Sequence, residues 1–207
     1  MVEDTIRIHS KKINRIFQIT GKKWITKCIY GSDFNFINCE ESKEFCLEIQ
    51  TENEIFQLDN RDFLVSKFKI MNKKKGLELK VILKARALKN VSLEISYVLD
   101  SSSEVLLKQL MITNLTKKTL TLLGVIGEFL TFKSIHKQNL IAQPVLTSGF
   151  FWFINHPSAR NQHDGKHLKL WYELNQKLNP DDTYQSEIAI IGALHSLDKI
   201  SENLPKF

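Results

Sequence analysis

Three histidines, His156, His163 and His167, fall within twelve residues, with Asp164 beside them. A histidine paired with a carboxylate can move protons, and three or four convergent ligands can hold zinc. His163 and His167 stand four apart, but Asp164-Gly165 between them reads as a turn. The expectation is therefore a loop with satisfied or solvated histidines and no metal. Several acids, including Glu128, Glu173, Asp181 and Asp182, are available for acid/base work on a bond held between two carboxyls. Their spacing pairs none of them. Glu128 interrupts an apolar run and is expected at a sheet surface or a cleft. Asp181-Asp182 follows Asn179-Pro180 and reads as a turn. Aromatic rings supply a different chemistry, because the C–H faces of a pyranose stack on indole. Trp152, in Phe150-Phe-Trp-Phe153, leads this group, followed by Trp24 and Trp171-Tyr172. In a strand, Phe150 and Trp152 share one face and Phe151 and Phe153 the other, so one pair is expected in the core. The polar residues that follow could rim a cleft. The candidate sugar-contacting set is thus Trp152, Asn155, His156, Arg160 and Trp24.

The elements that position these residues are strands. Leu77, Leu79, Val81 and Leu83 alternate with Glu78, Lys80 and Ile82, and Val91, Leu93, Ile95, Tyr97 and Leu99 form a second such series. Period two puts each set on one face of a half-buried strand. The link Lys84–Asn90 makes the two an antiparallel pair. Similar runs are expected at Ile13–Ile19, Trp24–Tyr30, Asp33–Ile37, Glu44–Gln50, Phe63–Ile70, Leu106–Thr113, Leu120–Val125, Phe150–Ile154, Leu168–Leu174 and Ile188–Leu194. Turn residues separate them, for example Gly31-Ser-Asp33, Asp59-Asn60 and Asp100-Ser-Ser-Ser103. No segment carries three clear turns of helical periodicity, and only Ser196–Leu204 reads as one short helix. The expected fold is all-β, two antiparallel sheets packed face to face. One domain over residues 13–195 is expected, with a polar lead at 1–12 and a tail at 196–207.

Bulk properties narrow the partners. The chain has 207 residues and a net charge of +6, but residues 31–60 carry −7 and residues 61–100 carry +6. Lysine supplies 24 of the 29 basic residues, whereas base and phosphate readers lean on arginine forks. Nucleic acid is therefore not an expected partner. The first ten residues hold no apolar stretch, and no run is long enough to span a bilayer. A cytoplasmic protein without a membrane partner is expected. Cys28, Cys39 and Cys46 match no metal or redox spacing, so reduced thiols and no cofactor are expected.

The order of several segments resembles a known family. Ile13-Asn-Arg-Ile-Phe17 and Gly21-Lys-Lys-Trp-Ile-Thr26 resemble its opening strand pair. Ile95-Ser-Tyr97, Leu110-Met-Ile-Thr-Asn-Leu115 and Leu120-Thr-Leu122 follow. Ala142-Gln-Pro-Val145, Phe150-Phe-Trp-Phe-Ile-Asn-His-Pro157 and Ile191-Gly-Ala193 complete the series. The series resembles the N-terminal β-supersandwich domain of melibiase-type, α-galactosidase-like glycoside hydrolases, of the galactose-mutarotase-like fold group. In that family a following (β/α)-barrel supplies both catalytic carboxylates. The sequence ends soon after the last matching segment, so no catalytic residue carries over. At Asn155 the family usually has an acid instead. The resemblance implies a non-catalytic domain for carbohydrate recognition, galactoside-like in ligand, or for contact with a missing catalytic barrel or a second copy. Two alternatives stay open. One is a mutarotase-type epimerase or hydrolase, with His136, His156 and Glu187 in acid/base roles. The other is a structural or protein-interaction module.

Overall fold

The computed structural model describes residues 4–31, 36–39, 42–74, 76–100, 105–134, 137–147 and 149–194. The expected tail 196–207 with its short helix, His136, and the breaks at 32–33 and 101–103 lie outside these residues.

A meander opens the chain: β1 (Asp4–His9), β2 (Ile13–Thr20), β3 (Lys23–Gly31) and β4 (Phe36–Asn38) form a four-stranded sheet. Then come β5 (Glu44–Gln50), β6 (Ile55–Asp59), a 3-10 turn at Asn60–Asp62, β7 (Phe63–Lys73), β8 (Gly76–Ala85), β9 (Val91–Asp100) and β10 (Val105–Asn114). The remaining strands are β11 (Leu120–Thr131), β12 (Gln138–Ile141), β13 (Val145–Thr147), β14 (Phe150–Ile154), β15 (Arg160–His163), β16 (His167–Leu178), β17 (Thr183–Gln185) and β18 (Ala189–Ala193). One large sheet runs β13-β14-β18-β10-β9-β8-β7, with β17 also on β10. The other runs β12-β15-β16-β11-β5-β6. The described residues pair antiparallel in every ladder, including β8 with β9.

Alternation decides which face is buried. Val91, Leu93, Ile95, Tyr97 and Leu99 of β9 all point inward, as do Leu79, Val81 and Leu83 of β8. The expected all-β sandwich of antiparallel sheets is what the chain adopts. A third, smaller sheet adds to the expected two, and Phe17 and Trp24 from it pack on Tyr97. The polar lead is also corrected in part. Ile6 and Ile8 alternate with polar neighbours and bury against the core, so residues 4–9 are strand β1, paired with β2.

Two departures from the expectation matter for the site. All five residues of β14 are buried, so neither aromatic pair is on the surface. Phe150, Trp152 and Ile154 join the main core, while Phe151 and Phe153 join Val105 and Ile190 in a second apolar cluster. The second departure is in β11, whose ladder shifts register between Leu122 and Gly124 and again between Ile126 and Glu128. A bulge inserts a residue and reverses the alternation beyond it. Past Gly127, Glu128 therefore points inward with Leu130, and Phe129 faces out. This corrects the expectation that Glu128 lies at a surface or a cleft.

Candidate functional site

The outward face of the six-stranded sheet carries an open groove of about 790 Å³. That volume falls in the range of small-molecule sites, roughly 300–1,000 Å³. Strand alternation builds its lining. On β5, Phe45, Leu47 and Ile49 enter the core, so Cys46 and Glu48 face out. On β16, Leu168, Leu170 and Tyr172 enter the core, so Lys169, Trp171 and Glu173 face out. Between these strands runs the twice-bulged β11.

At one end of the groove, Gly124 pairs with Glu48 on one side and Glu173 on the other. Neighbouring strands lie about 4.8 Å apart, so the two glutamates stand on backbones about 10 Å apart. A Cβ at Gly124 would make only ordinary contacts, 3.8 Å to the Tyr172 carbonyl and 3.9 Å to Glu48. The missing side chain thus leaves space between two carboxylates. At the other end, Phe129 forms the floor. The ammonium groups of Lys43 and Lys169 each lie 5.1 Å from its ring centre. Lys43 also lies 3.6 Å from the Asp59 carboxylate. Cys46 lines the wall, and burial, with the Asp59 charge behind it, pushes its thiol up to about 11, so it stays a neutral thiol.

Trp171 lines the groove half-buried. Arg160, directly opposite on β15, lays its guanidinium over the indole at 5.2 Å. A cation over indole is an attractive contact, and here it fixes the ring's orientation. A half-open indole beside hydrogen-bonding carboxylates and amides (Gln57, Gln162) can stack on a sugar ring and bind its hydroxyls.

The five residues singled out from sequence do not come together. Trp152 is 0% exposed, packed on Phe132 and Phe150, so its ring is closed to any ligand. Trp24 is also 0% exposed; it stacks on Phe17 and donates its indole N–H to the Tyr97 hydroxyl at 3.2 Å. The physical reason is that both strands are covered on the face that carries the indole. Asn155 and His156 form the turn after β14. The His156 ring stacks on Tyr172 at 5.1 Å, and its Nδ1 lies 2.9 Å from the Ser158 hydroxyl. Tyr172 points inward, so His156 sits on the side of β16 opposite the groove. Only Arg160 belongs to the groove face, where it acts through Trp171. Glu187 donates its backbone N–H to the Tyr172 hydroxyl, which places it near His156 without a carboxylate–imidazole contact. His163 and His167 flank a β-turn, as expected. Asp164 accepts the backbone N–H groups of Lys166 and His167 and lies 3.2 Å from the His167 ring. Partial burial opposes its ionisation, but these donors hold its carboxyl down at about 2. Among the described residues no cluster of three or more His, Cys, Asp or Glu could hold a metal.

A second constellation lies deep inside. Arg15, Glu44, Lys108 and Glu128 have fully buried side chains. Arg15 donates to Glu128 at 2.7 and 2.9 Å, to Glu44 at 2.8 Å and to the Thr26 hydroxyl at 2.8 Å. Lys108 donates to the Glu44 carbonyl at 2.6 Å and reaches both carboxylates at 3.2 and 3.4 Å. Tyr97 donates to Glu44 at 3.0 Å. Burial alone would neutralise Glu44, yet Arg15 and Lys108 hold its carboxyl down at about 2. Two cations balance two carboxylates, and the members come from all three sheets. The cluster ties the sheets together and has no opening to a ligand. Its sequence signal was charge at apolar-phase positions, such as Lys108 between Leu106 and Leu110.

The fold is that of a β-sandwich domain of the kind found in melibiase-type enzymes, as the segment order suggested. Among solved structures the chain is similar to the α-galactosidase AgaB of glycoside hydrolase family 36 from Geobacillus stearothermophilus. That match has a TM-score of 0.69 at 10% identity, over 96% of this chain and 42% of that one. It is similar to the galactosidase domain of the α-galactosidase–sucrose kinase AgaSK, with a TM-score of 0.65 at 10% identity, over 91% of this chain and 40% of that one. It is also similar to the α-galactosidase from Lactobacillus brevis, with a TM-score of 0.63 at 10% identity, over 93% and 40%. The chain thus spans about 40% of the length of these structures. No protein-family model and no curated protein matches the sequence.

Proposed function

We propose that this chain is a non-catalytic carbohydrate-recognition domain, with the groove on the six-stranded sheet as its binding face. The observation that carries the reading is Trp171, a half-open indole in a groove of about 790 Å³ flanked by carboxylates and amides. The likeness to α-galactosidase structures supports a sugar as the ligand class. Titration calorimetry with galacto-oligosaccharides tests it. Binding is expected, with at least a tenfold loss in Trp171→Ala and loss of binding in Gly124→Leu, whose side chain would fill the space between Glu48 and Glu173. Both variants should keep the parent's melting temperature. Binding that survives both substitutions would remove the groove from the reading, and turnover of the ligand would overturn its non-catalytic part.

A second reading, contact with a catalytic domain, has its own support. Strand β7 is the free edge of the eight-stranded sheet and exposes Phe68 at 42% and Ile70 at 46%. Exposed apolar side chains on a free edge favour contact with another surface. A catalytic barrel is the occupant this reading commits to, given the share of the relatives' length that the chain covers.

A further inference from the structure

The distribution of charge along the groove says more than its size. Its two ends have opposite sign. Glu48 and Glu173 flank Gly124, while Lys43 and Lys169 both stand over Phe129. Allowing for the bulge at Gly127, four pleated steps separate Gly124 from Phe129, roughly 13 Å at about 3.3 Å per step. That length admits more than one sugar ring, with the half-open Trp171 between the two ends. At the lysine end two cations share one aromatic floor, and of the two only Lys43 has a carboxylate within ion-pair reach among the described residues, Asp59 at 3.6 Å. No ion pair engages the Lys169 ammonium among the described residues. A neutral sugar would use the carboxylate end and leave this cationic end facing water.

We propose that the groove binds an anionic saccharide, with the acidic group between Lys43 and Lys169 and the hydroxyls of a neighbouring ring on Glu48 and Glu173. The inference rests on the carbohydrate reading above and names the ligand class for the same groove. The opposed ends also fix the direction in which the saccharide lies, because its acidic group is repelled from the glutamates. Part of the attraction is Coulombic and partly exposed to solvent, so it weakens as salt rises.

The test compares a disaccharide of one galacturonate and one galactose ring with neutral galactobiose by titration calorimetry on the full chain. The singly acidic disaccharide is expected to bind at least tenfold more tightly at low salt, with the advantage shrinking as salt is raised. Lys169→Gln should abolish the advantage, while Lys169→Arg should retain it. A sulfated galactobiose separates a requirement for carboxylate from one for negative charge, and binding of either acidic form supports the proposal. Equal or tighter binding of galactobiose would overturn it and leave the carbohydrate reading standing. A preference unchanged in Lys169→Gln would overturn it as well. If no saccharide binds, the carbohydrate reading itself fails, and this inference with it.

Discussion

The Arg15–Glu44–Lys108–Glu128 cluster shows how little a residue's type says before its surroundings are known. Glu128 has the chemistry of a catalytic acid, but its carboxylate is consumed by one arginine and one lysine in the core. Removing one member leaves an uncompensated buried charge, which costs about 3–5 kcal/mol. Arg15→Met and Glu128→Gln are therefore expected to lose stability on that scale in urea unfolding. Arg15→Met is the more severe, because it frees two carboxylates. The cluster also sets an acid limit. Glu44 is held at about 2 against an ordinary 4.5, so the folded state favours its ionised form. Its contribution is fully present above pH 4.5 and is lost as pH falls from there through about 2. Unfolding followed from pH 6 to pH 2 should show that fall, and Glu44→Gln, less stable at neutral pH, should show a flatter one.

Strand β11 links the core to the groove. Its two register shifts let one strand send Leu122, Val125, Glu128 and Leu130 inward while Gly124, Ile126 and Phe129 form the groove floor. Simple alternation from Leu120 would send Glu128 inward but Val125 outward, so the bulges make both ends of the groove compatible with one core. Gly127 is the pivot; a Cβ there would meet Ile154 at 3.4 Å and Ala189 at 3.7 Å. Gly127→Val should crowd that contact and cost about 1–3 kcal/mol, read as a lower denaturant midpoint. Strand β1 was legible in Ile6-Arg-Ile8 but was overshadowed by its charged neighbours. Ile8 is almost fully buried, so Ile8→Ala is expected to cost about 2–5 kcal/mol by the same measurement.

At the scale of the whole molecule, the two large sheets divide the surface into faces with different tasks. The groove face carries charge and an open indole, and the free edge at β7 carries Phe68 and Ile70. If β7 meets a catalytic domain, Phe68→Glu should leave sugar titrations unchanged and abolish association with a barrel supplied in trans. Association that persists in Phe68→Glu would count against the edge as the contact.

The sequence by itself determined the class of the molecule. Period-two runs marked twelve of the strands, among them the β8–β9 pair with nearly every inward-facing residue on it, because alternation follows directly from the geometry of a pleated chain. It also marked Trp171 and Glu173 as residues with usable chemistry. Only the tertiary structure decided which of these are accessible. Trp152 and Trp171 are equally aromatic in sequence, but one faces the opposing sheet and the other faces out. Glu48 and Glu173 are far apart in the chain and meet only because β5, β11 and β16 are neighbours. Periodicity reports which residues share a face. Strand order, bulges and the covering of each face arise from long-range pairing, and those contacts turned scattered residues into one groove.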